Sequence, residues 1–405
     1  MAELPFAFPA SAPPSPPPPA PEPILAVAEQ VPSSATPSGP IGDWLRSQAQ
    51  PPDGPSLADI VRIAHERGYS DVHLGVGELP RYRHLGDIIP SEWPVTSGEQ
   101  FHGWLKEALD PGKLDHFRQH KEYDGSHAFP FVRTRINVLQ TFQGPAMVVR
   151  LIPLEVPTLE QLDLPRIFQT LAERPKGMLL VTGATGAGKT TTLAAVIDHI
   201  NATMKRHILT IEDPVEYIHQ SKHSLVRQRE VGSHTSDFHL ALRAALREDP
   251  DVILIGEIRD QETLTAAIKA SQTGHLVLGT LHTNSAVRTI ERVLSMYPPQ
   301  DQETMRRSIA ESLLAVFSQG LLKTTDGRRM AYHDIFINTD ACRDYIMRAE
   351  LDPIEQIMFR SGSDGMQTAN QDLARLVDEG KVTAEEALGH SLRPSELDQI
   401  LRGRT

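Results

Sequence analysis

Cysteine is nearly missing from this chain: Cys342 is its one thiol in 405 residues. A lone cysteine excludes an internal disulfide and a four-cysteine zinc site, and it fits a reducing compartment. Its expected role is a small buried filler, not a nucleophile. Excess positive charge is missing too. Against 40 Lys and Arg stand 52 Asp and Glu, a net charge of -12 with a pI near 5.8. That balance argues against broad nucleic-acid binding, which leaves a basic footprint, while allowing a local basic patch. No apolar run approaches the ~18 residues that span a bilayer. The start, Met1-Ala-Glu-Leu-Pro-Phe6, has neither the basic nor the apolar region of a secretory signal. Any membrane link is therefore expected to run through a partner.

Proline is concentrated rather than scarce. Sixteen of the 32 prolines fall within residues 1–55. A segment dominated by Pro, Ala and Ser cannot bury enough apolar surface to offset its ordering entropy, so a disordered tail with polyproline-II bias is expected. Two less proline-rich islands, 24–31 and 41–49 with Trp44, leave two readings open: a tether, or a docking peptide that orders on a partner.

From residue 56 the pattern becomes globular. Leu57, Ile60, Val61 and Ala64 recur at helical spacing behind Ser56 as N-cap. A strand at 72–76, a hairpin over 82–89, helices at 99–109 and 111–120 and strands at 131–141 and 147–152 outline a small α+β domain, 56–152. Pro153, Pro157 and Pro165 mark a linker, 153–165. Beyond Gly177 strands and helices alternate: strands at 178–181, 208–211, 252–255 and 276–281, and helices at 190–200, 236–248 capped by Ser236, and 263–272 closed by Gly274. This predicts a parallel sheet covered by helices, an α/β domain over 166–390. The part beyond about Ser285 is expected to be mostly helical, with 391–405 as a C-terminal tail.

The strongest motif is Gly183-Ala184-Thr185-Gly186-Ala187-Gly188-Lys189-Thr190, which matches G-x-x-x-x-G-K-[ST]. A buried strand precedes it and a helix begins inside it, the context a phosphate-binding loop needs. Glycines let the backbone curl without side-chain clash, and exposed N–H groups at a helix start attract anionic oxygen. Lys189 is expected on the β- and γ-phosphates of ATP, with Thr191 also against the nucleotide, and the Thr190 hydroxyl at a Mg²⁺ ion.

Three further sets surround it in sequence. Asp251-Val-Ile-Leu-Ile-Gly256-Glu257 is a strand delivering an acid at its carboxyl end, and Glu257 is expected to hold Mg²⁺ through water. Glu212, Asp213 and Glu216 place three carboxylates within five residues at another strand end. They read either as a solvated acidic turn or as the group that orients an attacking water, with Glu216 the base and the other two supporting it. His275 and His282 bracket the strand at 276–281, as structural histidines or as γ-phosphate sensors relaying to a neighbouring subunit. Arg133, Arg135 and Asn137 share one face of a strand, and Arg150 lies near the end of the next. The face is either solvated or a source of charge for a phosphoryl group.

These runs together resemble a known family. Ile208-Leu-Thr-Ile-Glu-Asp-Pro-Val-Glu-Tyr217 is similar to the Asp box of secretion ATPases, and Thr273-Gly-His-Leu-Val-Leu-Gly-Thr-Leu-His-Thr283 to their His box. Gln228-Arg-Glu-Val231, Ser70-Asp-Val-His-Leu74 and Gly365-Met-Gln-Thr368 add to the likeness. The chain resembles the type II/IV secretion ATPase superfamily, and within it the PilT-like retraction ATPases of type IV pili. The resemblance implies a PAS-like N-terminal domain, a RecA-like ATPase domain and a homohexamer. Nucleotide would lie between the two domains, with Arg135 and Arg150 arriving from a neighbour. It further implies a cytoplasmic motor at the inner membrane, working on a membrane-embedded pilus platform protein, with other pilus ATPases as further candidate partners. Two departures stand out. The proline-rich tail is absent from most relatives, and the retraction motif is represented by a changed version, Ala341-Cys-Arg-Asp-Tyr-Ile-Met-Arg348. The alternatives are the same chemistry coupled to type IV secretion or conjugation, as in DotB-like ATPases, and a weakly hydrolysing regulator of a separate motor.

Overall fold

The computed structural model describes residues 54–84, 86–152 and 155–403. The expected disorder of the proline-rich tail, and its two islands, lie outside the described residues.

The chain's first packed layer begins with helix α1 (Leu57–Glu66). Ser56 accepts from the Asp59 N–H while the Asp59 carboxylate accepts from the Ser56 N–H, a reciprocal cap that stabilises a helix start by about 1 kcal/mol. The helix buries Leu57, Ile60, Val61 and Ala64, as the spacing predicts. Together with α2 (Gly98–Ala108) and α3 (Pro111–His120) it encloses a core with a six-stranded antiparallel sheet of order β3-β2-β1-β6-β5-β4. The strands are β1 (Asp71–Gly75), β2 (Arg81–His84), β3 (Asp87–Pro90), β4 (Glu122–Phe129), β5 (Val132–Thr141) and β6 (Gly144–Ile152). The sequence reading missed β4. Its residues, Glu-Tyr-Asp-Gly-Ser-His-Ala-Phe, are polar and include a glycine, and pairing with β5 makes them a strand.

The second sheet has seven strands in the order β13-β12-β7-β11-β10-β8-β9. In chain order these are β7 (Gly177–Thr182), β8 (His207–Glu212), β9 (Leu225–Glu230), β10 (Val252–Ile255), β11 (Leu276–Leu281), β12 (Leu313–Lys323) and β13 (Arg329–Ile337). Neighbours from β12 to β9 run parallel, and β13 returns antiparallel along β12. Every residue of β7, β10 and β11 is buried, which explains their continuous apolar runs. Alternate side chains feed two cores. Leu180, Ile211, Ile253 and Val277 pack with α6 (Phe238–Ala245) and α7 (Gln261–Gln272). Leu179, Val252 and Leu278 pack with α4 (Ile167–Ala172) and α5 (Lys189–Thr203) on the other face.

Three expectations need correction. The cap of α6 is Asp237, whose carboxylate accepts from the Leu240 N–H, not Ser236. The chain beyond Ser285 is mostly helical, as expected, but two strands are set into it. After α8 (Ala286–Ser295) and α9 (Pro299–Ser312), it enters β12 with no turn between Ser312 and Leu313, then forms β13. The edge strand β9 was also unforeseen. Finally, the stretch expected as a tail contains a packed helix, α14 (Pro394–Leu401), whose Leu397 is buried with Leu373 and Leu376 of α12 (Ala369–Asp378). The changed retraction segment lies in α10 (Asp340–Arg348), and Cys342 is buried there. Among the described residues no helix is long and apolar enough to cross a membrane.

Candidate functional site

The carboxyl ends of β7, β8, β10 and β11 open on one side of the second sheet, where open parallel sheets bind ligands. The loop after β7 begins at Gly183, with φ 148°, and continues through Gly186 at 80° and Gly188 at 82°. The first and last of these glycines are packed against β12. A Cβ on Gly183 would stand 2.3 Å from the Gln319 carbonyl oxygen, and one on Gly188 would stand 3.3 Å from the Gln319 side-chain nitrogen. Gln319 also donates from Nε2 to the Ala187 carbonyl at 2.6 Å. Strand β12 thus forms the loop's back wall.

Lys189 opens α5 and folds back over the loop. Its Nζ donates to the Gly183 carbonyl at 2.9 Å and the Ala184 carbonyl at 3.1 Å, and lies 3.5 Å from Nδ1 of His282. Burial lowers its pKa below the ordinary lysine value, opposed by the charges of Glu257 and Glu216. A cation held this way gains by meeting an anionic ligand.

Strand β11 lies between the loop strand β7 and the acid strand β10. Its carboxyl end therefore puts His282 between Lys189 and Glu257. His282 Nε2 is 3.1 Å from Glu257 Oε1, and Arg259 Nη2 donates to Glu257 Oε2 at 2.7 Å. The Arg259 hydrogen bond, with Arg259, His282 and Lys189 nearby, holds the Glu257 pKa below the usual carboxylate range. Glu212, at the end of β8, is 6% exposed and accepts from Thr210 Oγ1 at 2.6 Å and Gln228 Nε2 at 3.1 Å. Burial raises its pKa. The following Asp213–Pro214 peptide is cis. Beyond it Glu216 faces the cleft, while the Tyr217 hydroxyl lies 3.3 Å from Thr191 Oγ1.

The opposite wall comes from the first sheet. Arg135 on β5 makes two hydrogen bonds to Asp124, at 3.0 and 2.6 Å. The Asp124 hydrogen bonds raise its pKa, with smaller contributions from Asp213 and Glu216. Arg150 on β6 donates from Nε to buried Asp71 at 2.8 Å. Both arginines line the cleft of their own chain.

The cleft has a volume of about 540 Å³ and brings together Arg135, Arg150, Thr185 to Thr191, Glu212, Asp213, Glu216, Glu257 and His282. A second opening of about 490 Å³ shares Gly188, Thr191 and Leu321 with it and extends to Thr324 and Arg328 at the β12–β13 turn. Both volumes fall in the range of small-ligand sites. Gly183 and Ala184 contribute carbonyls to Lys189 rather than cleft lining. His275 is a correction. It precedes β11 at the opposite end of the strand from His282, accepts or donates at Nδ1 with the Ala270 carbonyl at 2.9 Å, and is not brought into the cleft. The sequence reading did not single out Tyr217, Gln319 or Glu230. Gln319 lies in β12 and Glu230 ends β9, two strands without a clear sequence signal.

Comparison with known proteins gives the site its setting. The type II/IV secretion system protein family matches residues 128–388. A twitching motility protein of Neisseria gonorrhoeae is 46% identical over 310 residues, 76% of this chain and 83% of that protein. The type IV pilus retraction ATPase PilT of Pseudomonas aeruginosa is 42% identical over 332 residues, 82% of this chain and 96% of that protein. The crystal structure of the pilus retraction motor PilT with bound ADP superimposes with a TM-score of 0.79 at 39% identity, covering 85% of this chain and 99% of that one.

Proposed function

The chain belongs to the type II/IV secretion system protein family, and on that premise we propose that it is an ATP-hydrolysing motor that drives type IV pilus retraction. One observation carries the reading: a phosphate-binding loop, four acids and two arginines from a separate sheet share a single cleft. The retraction and twitching-motility relatives support the coupling to pili, and the ADP in the PilT crystal structure supports a nucleotide in this cleft.

The residues divide the work as follows. Loop N–H groups and Lys189 neutralise the phosphates. Glu216 accepts a hydrogen bond from the attacking water and orients it. Arg135 exchanges Asp124 for the transferring phosphoryl group, and Arg150 does the same from Asp71. The second opening takes the nucleoside end. The donor set fits Mg²⁺: Thr190 offers a hydroxyl beside Lys189, and Glu257 an ionised carboxylate in the same cleft. When bound, Mg²⁺ would supply positive charge that offsets the negative charge of the phosphates.

The first sheet and its helices form a PAS-like domain, 56–152, and the second a RecA-like ATPase domain, 166–390. The motor is a homohexamer at the cytoplasmic face of the inner membrane, where it acts on the pilus platform protein. Two measurements test this. Purified protein should release phosphate from Mg·ATP, and Lys189→Ala and Glu216→Ala should each abolish release while the assembly elutes unchanged in gel filtration. Equal, negligible release by wild type and Glu216→Ala would refute the motor and favour a regulator. Deleting the gene should leave cells hyperpiliated and non-motile; lost secretion with normal pili would move the chain to the secretion branch.

A further inference from the structure

A buried carboxylate joins the two walls of the cleft. Glu230 ends the edge strand β9 and is only 8% exposed. Its Oε2 accepts from Arg133 Nη2 of β5 at 3.3 Å and from the backbone N–H of Val215 at 3.1 Å. Its Oε1 accepts from Ser233 Oγ at 2.9 Å, and its own N–H donates to His234 Nδ1 at 3.0 Å. Val215 is the residue before Glu216. One oxygen of Glu230 therefore holds both the loop that presents Glu216 and an arginine of the opposite sheet.

The rest of that loop is pinned from the same strand. Gln228 Nε2 donates to the Tyr217 carbonyl at 2.8 Å and to Glu212 Oε1 at 3.1 Å, while its Oε1 accepts from the His219 N–H at 2.8 Å. The Gln228 contacts stay within the second sheet's layer. Those of Glu230 cross to the first. The Arg133–Glu230 pair is screened from water, with side chains 17% and 11% exposed, so its charge attraction is far stronger than that of a surface pair.

We infer that Glu230 is a positioning residue that makes the placement of Glu216 depend on where the first domain sits. When Arg133 is close, the shared carboxylate is fixed and Val215 is held with it. When the domains part, Glu230 loses its cationic partner and its grip on the Glu216 loop loosens. Hydrolysis is thereby confined to the closed cleft, without either residue touching nucleotide. The inference rests on Glu216 acting as the water-orienting acid.

The test compares Glu230→Ala, Glu230→Gln, Arg133→Gln and Arg133→Lys with Glu216→Ala and wild type. The readouts are kcat and KM for ATP, and the affinity for a fluorescent ADP analogue. Misplacing a reacting group by about 1 Å costs roughly 100-fold in rate, so Glu230→Ala and Arg133→Gln should lower kcat by roughly 10- to 100-fold. ADP affinity should change less than threefold, and Arg133→Lys should restore most of kcat. Glu230→Gln keeps an oxygen for Val215 but loses the charge, so it should match Arg133→Gln, and the double variant should be no worse than either. If Glu230→Ala does not fold, the Arg133 and Gln variants still decide. Wild-type kcat in Arg133→Gln, or additive losses in the double variant, overturns the coupling. Retained turnover in Glu216→Ala overturns the underlying reading instead.

Discussion

Gly183 and Gly186 allow a sharp comparison, because only one of them is crowded. Both need a backbone conformation that side chains rarely adopt, with φ of 148° and 80°. An alanine at 186 would meet nothing within 4 Å, whereas one at 183 would sit 2.3 Å from the Gln319 carbonyl oxygen. Ordinary contact begins near 3.4 Å. The loop or β12 must therefore move by about 1 Å, and both are backbone in a buried region. Backbone strain alone should cost Gly186→Ala about 1–2 kcal/mol. Gly183→Ala adds overpacking of about 1–3 kcal/mol, for about 2–5 kcal/mol in all. A difference of about 2 kcal/mol corresponds to a melting-point gap of roughly 4–8 °C for a domain of 150–250 residues. Thermal scans of the two variants without nucleotide, at equal protein concentration, make the comparison. Gly183→Ala should also bind ADP more weakly, since its shift displaces the loop. Equal melting points would refute the claim that β12 sets the shape of the loop.

Other expectations follow from the same geometry. Gln319→Leu removes the bond to the Ala187 carbonyl and should weaken nucleotide binding roughly five- to tenfold, about 1–1.4 kcal/mol, read by titration with a fluorescent analogue. Arg135→Ala should lower kcat by tenfold or more. Because Arg135 lines the cleft of its own chain, rings that mix Arg135→Ala with Lys189→Ala should stay inactive; turnover regained on mixing would show that the arginine works across subunits. Burial lowers the pKa of His219 from 6.5 to about 4. The unfolded chain then binds the extra proton between those values, so stability is fully present above pH 6.5 and falls as pH drops towards 4, by about 3 kcal/mol in total. Urea midpoints from pH 7.5 to 4.5 should reveal this slope, and His219→Leu should flatten it.

Much of this was legible in the residues. The phosphate loop was readable because chemistry and local context coincide: glycines, a lysine and a hydroxyl at a strand-to-helix junction. Strands β7, β10 and β11 were readable because burial on both faces leaves an unbroken apolar run. Strand β12 was not, because α9 passes into it without a glycine or proline, and Leu-Leu-Ala-Val-Phe is as compatible with a buried helix as with a strand. Strand β9 reads Leu-Val-Arg-Gln-Arg-Glu, an edge strand whose polar residues hide it from any hydrophobic pattern. Glu230 was invisible for a different reason. Its partners Arg133 and Val215 lie 97 and 15 residues away in sequence, and only the packing of the two sheets brings them to one carboxylate. His275 shows the converse: its spacing from His282 matches the motif, yet six strand residues carry the two to opposite ends of β11.

The cleft's two walls are unequal. One, the glycine loop with its lysine and acids, is complete on a single rigid sheet. The other is a pair of guanidiniums mounted on a separate layer and already satisfied by carboxylates of that layer. Capturing a nucleotide and spending it are therefore separable acts: the first needs one half of the molecule, the second waits until the halves clasp. On the proposed mechanism each turnover obliges the halves to come together and come apart, a mechanical stroke available within one chain.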